Sequence, residues 1–451
     1  MRTYLKEKIG NPELFTGRKR ELTFYLKWIE HIKRESSLSS AILSRRKTGK
    51  TALLQRLYNV TFEMNMGVIP FYYEVPEGKQ WVVEFCQDFY LTFVYQYMAF
   101  TTREPHYIEL SQQRKKTFAS AQSDARQAGQ YLVDDIAAVE RLVHEHHVDR
   151  LWTAVRETPW TLAAQQQESI VQIIDEFQYL NSEIYWDEAK TNQANDLASG
   201  YMRTAEYKNA PLLVSGSWVG WLFSMLNKMT GRFQMDFLEP LPEDETVETV
   251  FKYAQLEDVP VTEATAYLIA QTCEGNPAYI SSLMRSRCPG KDLMTGEGVL
   301  HALEFETLDE RGAIKRTWLE YLYAVLPKIN DRYAKQIILY LCQHKDHKVS
   351  RRDVLKNLNL DLTEEQLTEK MEALIRADII NRGGSSVRYQ AVQDNIFDKV
   401  FRGEFGGDIE EFDEHEITNE YKALFEKIQH KYRQLIGNTV RRKALLPNIK
   451  F

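Results

Sequence analysis

The chain has 451 residues, 43% of them apolar and 12% aromatic, with 57 Lys and Arg against 64 Asp and Glu and a formal net charge of −7. That length exceeds one compact domain and allows two or three, and the apolar fraction excludes a disordered chain. The mild acidity argues against general adsorption of nucleic acid over the whole surface. Cys86, Cys273, Cys288 and Cys342 lack metal-ligand spacing and read as reduced thiols. No run nears the roughly 18 apolar residues of a membrane helix. Met1 to Lys8 has no apolar signal core, so the expected location is the cytoplasm, away from membranes.

In chain order, a basic helix is predicted around Glu21 to Arg34, followed by a Ser-rich joint at Ser36 to Ser40. The apolar run Ala41-Ile42-Leu43 then leads into Ser44-Arg45-Arg46-Lys47-Thr48-Gly49-Lys50-Thr51, and Ala52-Leu53-Leu54 opens a stretch at helical spacing. Strand, tight loop and helix in that order make a phosphate-binding loop. Gly49 has no side chain, so backbone N–H groups can close around phosphate oxygens. Lys50 brings a positive charge to the β- and γ-phosphates, and the Thr51 hydroxyl suits Mg²⁺. The dipole of the following helix adds favourable potential for an anion. Ser44 stands where the first glycine is expected and can hold that turn at some conformational cost.

Val68 to Val75 is the next predicted strand, and residues 78 to 165 read as helical, with aromatic and apolar residues recurring at three and four from Trp81 to Phe100. That block is long for a simple crossover and is expected to be an insertion packed on the core. His144, His146 and His147 fall inside it without a completing ligand set. Ile170 to Ile174 is a near-continuous apolar run of the kind a buried parallel strand needs, and it ends in Asp175-Glu176. Carboxylates at that end emerge where open α/β sheets place ligands. Asp175 is expected in the Mg²⁺ shell, directly or through water, and Glu176 as the group that polarises an attacking water. Asp187 to Tyr207 is predicted helical. Pro211 to Val214 is a further strand, ending in Ser215-Gly216-Ser217, where Ser217 or Ser215 is placed to sense a γ-phosphate. Thr230-Gly231-Arg232-Phe233 offers an arginine with two readings, a finger reaching a neighbouring subunit's nucleotide or an internal ion pair.

Residues 243 to 288 read as a helical lid, in which Glu274-Gly275-Asn276-Pro277 starts a helix, and a helical linker follows to Pro327. Ala334 to Leu341 is an amphipathic helix. Ser350 caps a second with Asp353 at the capping-box position, Thr363 caps a third that runs to Ala377, and Ile379 to Tyr389 reads as a hairpin with a glycine turn. Three helices and a hairpin make a winged helix. Its third helix carries Glu364, Glu365, Glu369 and Glu372, a poor face for a major groove, while Arg351, Arg352, Arg382 and Arg388 are candidates for phosphate contact. A packing or regulatory module is the other reading of the same segment. The final residues begin acidic and turn basic.

Phe15-Thr16-Gly17-Arg18-Lys19-Arg20-Glu21-Leu22, the loop with its Arg-Arg pair, the strand ending in Asp175-Glu176, the Ser-Gly-Ser strand end and the Gly-Asn-Pro turn occur in one order. Together they resemble the archaeal-type ATPase family, a branch of P-loop ATPases close to the AAA+ and STAND groups, over residues 10 to 290. The resemblance implies an α/β fold: a P-loop ATPase core with a parallel sheet over residues 1–240 that includes the helical insertion, and a lid over 241–290; beyond it the residue pattern gives a linker over 291–330, a winged-helix domain over 331–405 and a charged helical tail over 406–451. It implies ATP or ADP with Mg²⁺, bound by Ser44 to Ala52 (metal at Thr51 and Asp175) with Phe15, Gly17 and Arg18 bordering the adenine and Pro277 on the lid. Catalytic roles fall to Lys50, Glu176, Arg232 and Ser217. The implied activity is ATP hydrolysis that switches conformation and assembly as a homo-oligomer or with a protein partner. The process it drives is expected to be DNA-associated, with duplex DNA gripped by the winged helix; the alternative is a signalling or defence switch directed at protein. A small-molecule or nucleotide kinase sharing the loop is a third class, against which the lid and winged helix argue.

Overall fold

The structure, a computed structural model, describes residues 4–145, 147–216, 219–229, 231–329, 333–345, 347–382, 388–409 and 415–445. The chain divides into two compact units, Met1–Glu239 and Pro240–Phe451.

The first unit contains strands β1 (Ser39–Leu43), β2 (Ile69–Glu74), β3 (Gln80–Trp81), β4 (Ile170–Asp175), β5 (Ile184–Tyr185), β6 (Leu212–Gly216) and β7 (Phe233–Phe237). Its helices are α1 (Lys19–Glu30), α2 (Lys50–Met64), α3 (Val82–Thr102), α4 (His106–Ser111), α5 (Phe118–Ala125), α6 (Gln130–His144), α7 (Val148–Gln166), α8 (Tyr201–Thr204) and α9 (Val219–Asn227). Five strands form one parallel sheet in the order β2-β4-β6-β1-β7. Every residue of β1, β4 and β6 is buried, as a parallel sheet covered on both faces requires. The one polar residue inside β4, Gln172, is satisfied on its amide side by donating to Ala210 O at 2.7 Å. Because all five strands run the same way, the loops after β1, β4 and β6 leave at one edge of the sheet, the edge at which open α/β sheets bind ligands.

The stretch expected to be a helical insertion folds as α3 to α7. It is held to the sheet by rings: Phe71 of β2 meets Phe89 and Phe93 of α3 edge-on, and Tyr73 of β2 meets Phe85 and Phe89. A second, two-stranded sheet pairs β3 with β5. His144 lies 3.9 Å from Glu140 and His147 lies 3.7 Å from Glu145, both at the surface, while His146 is outside the described residues.

Two expectations need correction. The helix expected over Asp187 to Tyr207 is mostly loop, with one 3₁₀ turn at Leu197–Gly200 followed by the short α8. The Asp187 carboxylate takes the backbone N–H groups of Thr191 and Asn192, a local competitor of helix hydrogen bonding. Leu197 and Ala198 are buried from the 3₁₀ turn, and Tyr201 from α8. The second correction is β7: the segment read only as a carrier of Arg232 continues into an edge strand paired with β1.

The second unit contains α10 (Glu243–Leu256), α11 (Glu263–Thr272), α12 (Pro277–Met284), α13 (Gly296–Leu308), α14 (Ala313–Val325), α15 (Ala334–Gln343), α16 (Arg351–Leu358), α17 (Glu364–Arg376), α18 (Asn395–Ile409) and α19 (His415–Leu445). Capping boxes start α16 (Ser350 with Asp353) and α17 (Thr363 with Gln366). The strands β8 (Val349–Ser350), β9 (Ile380–Arg382) and β10 (Arg388–Ala391) form an antiparallel sheet in the order β8-β10-β9. The turn of that hairpin, residues 383–387, lies outside the described residues. Helix α18 runs across residue 406, where the tail was expected to begin. Among the described residues no helix is long and apolar enough to cross a membrane.

Ile173 sits fully buried in the middle of β4. Ile173→Ala should destabilise the protein by about 2–5 kcal/mol through lost transfer energy and the cavity left behind. Urea unfolding measures this directly, and a loss below about 1 kcal/mol would mean that β4 is not part of the packed centre.

Candidate nucleotide site

The loop after β1 closes on itself through its own polar groups. Lys47 and Gly49 take positive φ (65° and 94°), and Gly49 caps α2 from the left-handed region. Arg18 anchors the loop from outside: its guanidinium donates to Thr48 O at 2.9 Å, to Glu239 O at 2.5 Å and to Glu21 at 3.1 Å. Ser44, in place of the expected glycine, is 5% exposed, and its hydroxyl lies 2.5 Å from the Thr48 hydroxyl, which in turn donates to Arg45 O at 2.9 Å. A side chain here therefore adds a closing bond to the loop. Lys50 is also 5% exposed, with Nζ reaching back toward Arg45 O at 3.5 Å, so its charge lies inside the loop.

Asp175, at the end of β4, is the meeting point of three strand ends. It is fully buried. Its Oδ2 accepts from the Thr51 hydroxyl at 2.6 Å, and its Oδ1 accepts from the Ser215 hydroxyl and from the backbone N–H of Glu176 at 2.9 Å. A buried carboxylate needs such donors, because desolvation otherwise disfavours its charge. Sequence left the sensor position open between Ser217 and Ser215. Ser215 lies on this carboxylate, and Ser217 is outside the described residues.

Glu176 follows in the left-handed region (φ 53°), and one oxygen of its half-buried carboxylate accepts from Gln178 Nε2 at 2.5 Å. Beyond it, Tyr179 donates to Glu77 at 2.8 Å, and Arg46 of the loop pairs with the same Glu77 at 3.0 Å and lies 3.4 Å from the Tyr179 hydroxyl. Burial, with the Glu77 bond second, pushes the Tyr179 phenol above its ordinary range, so it stays a neutral donor. Glu74, paired with Asp175 in the β2–β4 register, has its carboxyl raised by burial, against the lowering effect of its bond to Lys8. Gln178, Tyr179 and Glu77 were not singled out in the sequence. The available signal was a polar residue, Gln178, between Phe177 and Tyr179 directly after the acidic pair.

The remaining expected residues lie in three places. Phe15 stacks under Arg56, whose guanidinium carbon is 4.4 Å from the ring centroid, and Gly17 takes φ 72° immediately before Arg18. Arg232 donates through Nε to Met202 O at 2.7 Å and pairs with Glu206 at 3.0 Å, an internal ion pair of the first unit. Pro277 begins α12 in the second unit, capped by Asn276. Also there, Arg382 pairs with Glu372 at 2.5 Å, Arg352 lies 3.7 Å from Glu364, Arg351 donates to the Thr368 hydroxyl, and Arg388 is exposed at the start of β10.

The donor set suits a hard divalent cation: a threonine hydroxyl and an aspartate carboxylate, both oxygen ligands, brought within 2.6 Å of each other. The loop, with Gly49 at φ 94° and Lys50 inside it, suits the phosphates of a nucleotide. Fold and loop together have the architecture of a P-loop protein.

No protein-family model matches the chain, and no curated protein matches it. Among solved structures it is similar to the Walker-type ATPase of Pyrococcus abyssi, at 15% identity and a TM-score of 0.56, over 88% of this chain and 98% of that one. The Thermotoga maritima RuvB Holliday junction branch migration motor aligns at 14% identity and a TM-score of 0.36, over 88% and 96% of the two chains. The Aeropyrum pernix ORC2 protein aligns at 11% identity and 0.44, over 88% and 98%. At the level of fold the chain is thus similar to an archaeal P-loop ATPase, in line with the family resemblance in its sequence.

Arg18→Ala would leave two backbone carbonyls, Thr48 O and Glu239 O, without their donor and open a void beside the loop. A stability loss of about 1–3 kcal/mol is expected from the lost part-buried bonds to a charged group and from lost packing. Chemical denaturation should report it, and an unchanged unfolding midpoint would show that Arg18 does not anchor the loop.

Proposed function

We propose that the protein is an Mg²⁺-dependent ATPase whose hydrolysis cycle switches its conformation and contacts. The observation that carries this is the single carboxylate, Asp175, tied to Thr51 of the phosphate loop and to Ser215, with Glu176 beside it. In this reading Lys50 binds the β- and γ-phosphates and stabilises charge that develops on them. Thr51 and Asp175 hold the metal, whose chemistry when bound is charge neutralisation at phosphate oxygens. A Glu176 carboxylate oxygen takes the proton of the attacking water, and Ser215 keeps the carboxylate of Asp175 oriented. The backbone of Lys47 to Gly49 supplies N–H groups to the phosphates. ATP and ADP are the expected ligands on this account, and Phe15, Gly17 and Arg18 form the adenine side.

For the partner, we read the segment from α15 to β10 as a winged helix that serves as a regulatory module toward protein. The exposed side of α17 carries Glu364, Glu365 and Glu369, and the arginines that were candidates for DNA phosphate lean onto its acidic residues, Arg382 on Glu372 and Arg352 on Glu364. Acidic charge there repels a phosphate backbone. The second reading, duplex DNA held by Arg351, Arg352, Arg382 and Arg388, rests on the exposure of Arg352, Arg382 and Arg388. Surface ion pairs of this kind are worth about 0–1 kcal/mol, so they do not lock the arginines. Assembly as a homo-oligomer belongs to the same proposal. Arg232, engaged with Glu206, would have to exchange that pair to act across a subunit boundary.

Two experiments test the ATPase reading and a third tests the partner. Lys50→Ala should weaken ATP binding by about tenfold to a hundredfold, the worth of a charge-assisted contact. Glu176→Gln should bind ATP as before and lose at least about a hundredfold in turnover, as expected for a general base. Fluorescent-nucleotide titration and phosphate release measure the two, and unchanged affinity in the Lys50 variant would overturn the site. For the partner, titration of labelled duplex DNA into the ATP-bound protein at low and moderate salt should show no salt-sensitive affinity. Binding that falls linearly with log salt, and is removed by reversing Arg382 and Arg388 to Glu, would put the DNA reading first.

A further inference from the structure

We propose that Gln178 is a positioning residue for Glu176, and that Gly216 is a glycine because the Gln178 amide occupies the space of a side chain there. This rests on the ATPase reading above. Gln178 is fully buried in the 3₁₀ turn Phe177–Asn181 that follows β4, a turn fixed on both sides. Phe177, Tyr179 and Leu180 are buried, Tyr179 is bound to Glu77, and Asn181 Oδ1 accepts the backbone N–H of Ala198 at 2.9 Å. From this turn Gln178 Nε2 donates to Glu176 Oε2 at 2.5 Å. Its Oε1 is buried and has no hydrogen-bond partner among the described residues.

An unpartnered buried acceptor is a cost that folded proteins rarely accept. Turning the amide over would not remove it, since Oε1 would then face the Glu176 carboxylate, oxygen against oxygen. The arrangement is therefore selected by the Nε2–carboxylate bond. The opposite wall makes the same point. A Cβ on Gly216 would lie 2.0 Å from Gln178 Oε1 and 3.0 Å from Leu222 Cδ2, an overlap with the amide that no real contact tolerates. Gly216 does not take a positive φ, so no backbone requirement explains a glycine at the end of β6. The amide's need for room does.

Glu176 is thus held at two points. Its backbone N–H donates to Asp175 Oδ1, which fixes it in the strained left-handed region, and its carboxylate accepts from Gln178. Fixing both sets where the Glu176 carboxylate lies at the end of β4. A base that must lie within hydrogen-bond reach of its proton gains from such restraint. Gln178 itself has no exposed atom with which to touch nucleotide, so it acts through Glu176.

The test is a double-mutant cycle read as kcat against KM for ATP. Gln178→Met keeps the volume and removes the donor, and Gln178→Ala removes both. Each should lower kcat by about tenfold to a hundredfold, the worth of a hydrogen bond to a charged group, with KM and ATP affinity within about twofold of wild type. Gly216→Ala should lower kcat similarly by displacing the amide. In the Gln178→Ala background, where the space is empty, Gly216→Ala should cost nothing further. Wild-type kcat in Gln178→Met, a parallel loss of affinity and turnover in every variant, or additive effects of the two sites would overturn the proposal. Failure of the ATPase reading is separate: it would show as no turnover by wild type, or as full turnover by Glu176→Gln, whatever the Gln178 variants do.

Discussion

Burial of one carboxylate, Asp175, organises the candidate nucleotide site. A fully buried aspartate is tolerated when several donors converge on it, and here they come from three different parts of the chain: Thr51 after β1, Ser215 in β6 and the N–H of Glu176 after β4. Only a parallel sheet in the order β2-β4-β6-β1-β7 brings those strand ends to one edge with β6 between β1 and β4. The strand order, the phosphate loop and the acidic pair are therefore coupled. Removing any of the three donors would leave Asp175 less well compensated and disturb the others.

Around that carboxylate, the surrounding groups act as supports for the two loops that flank it. Arg18 ties Thr48 to the end of the first unit, and Arg46 ties the same loop to Glu77 and Tyr179 on the far side. Tyr179 belongs to the turn that also carries Gln178, so the turn that orients Glu176 is bonded to the arginine of the phosphate loop. Movement of Arg46 would be felt by the Glu77–Tyr179 pair and through it by that turn. On the ATPase proposal, this chain of contacts would link the occupancy of the loop to the placement of Glu176.

Much of this was legible in the sequence because it depends on local pattern. The loop between an apolar run and a helical stretch, the apolar strand ending in two carboxylates and the two capped helices of the second unit are all encoded within a few residues of each other. What was not legible depends on which side chains the fold brings into contact. Nothing near Ser44 says that its hydroxyl would close the loop on Thr48, so it read as a compromised glycine. The bond of Ser215 to Asp175 joins two strands far apart in the chain, and Ser217 lies outside the described residues. Arg232 shows its Glu206 partner only once the segment after α8 is folded beside the residue that precedes β7. The loop after Asp187 misled because a carboxylate that binds backbone N–H groups breaks a helix without changing the apolar spacing. Gln178 left only a weak trace, a polar residue between Phe177 and Tyr179, and its contact with Glu176 and its closeness to Gly216 show only in the fold.

The central claim is that Thr51 and Asp175 together form the metal position of a nucleotide site. Electron paramagnetic resonance of Mn²⁺, a paramagnetic substitute for Mg²⁺, measures it most directly by counting free metal in the presence of ATP. Wild-type protein should remove Mn²⁺ from solution beyond what ATP alone binds, and Asp175→Asn should lose that excess while remaining folded by circular dichroism. Equal protein-dependent Mn²⁺ binding in a folded Asp175→Asn variant would contradict the account.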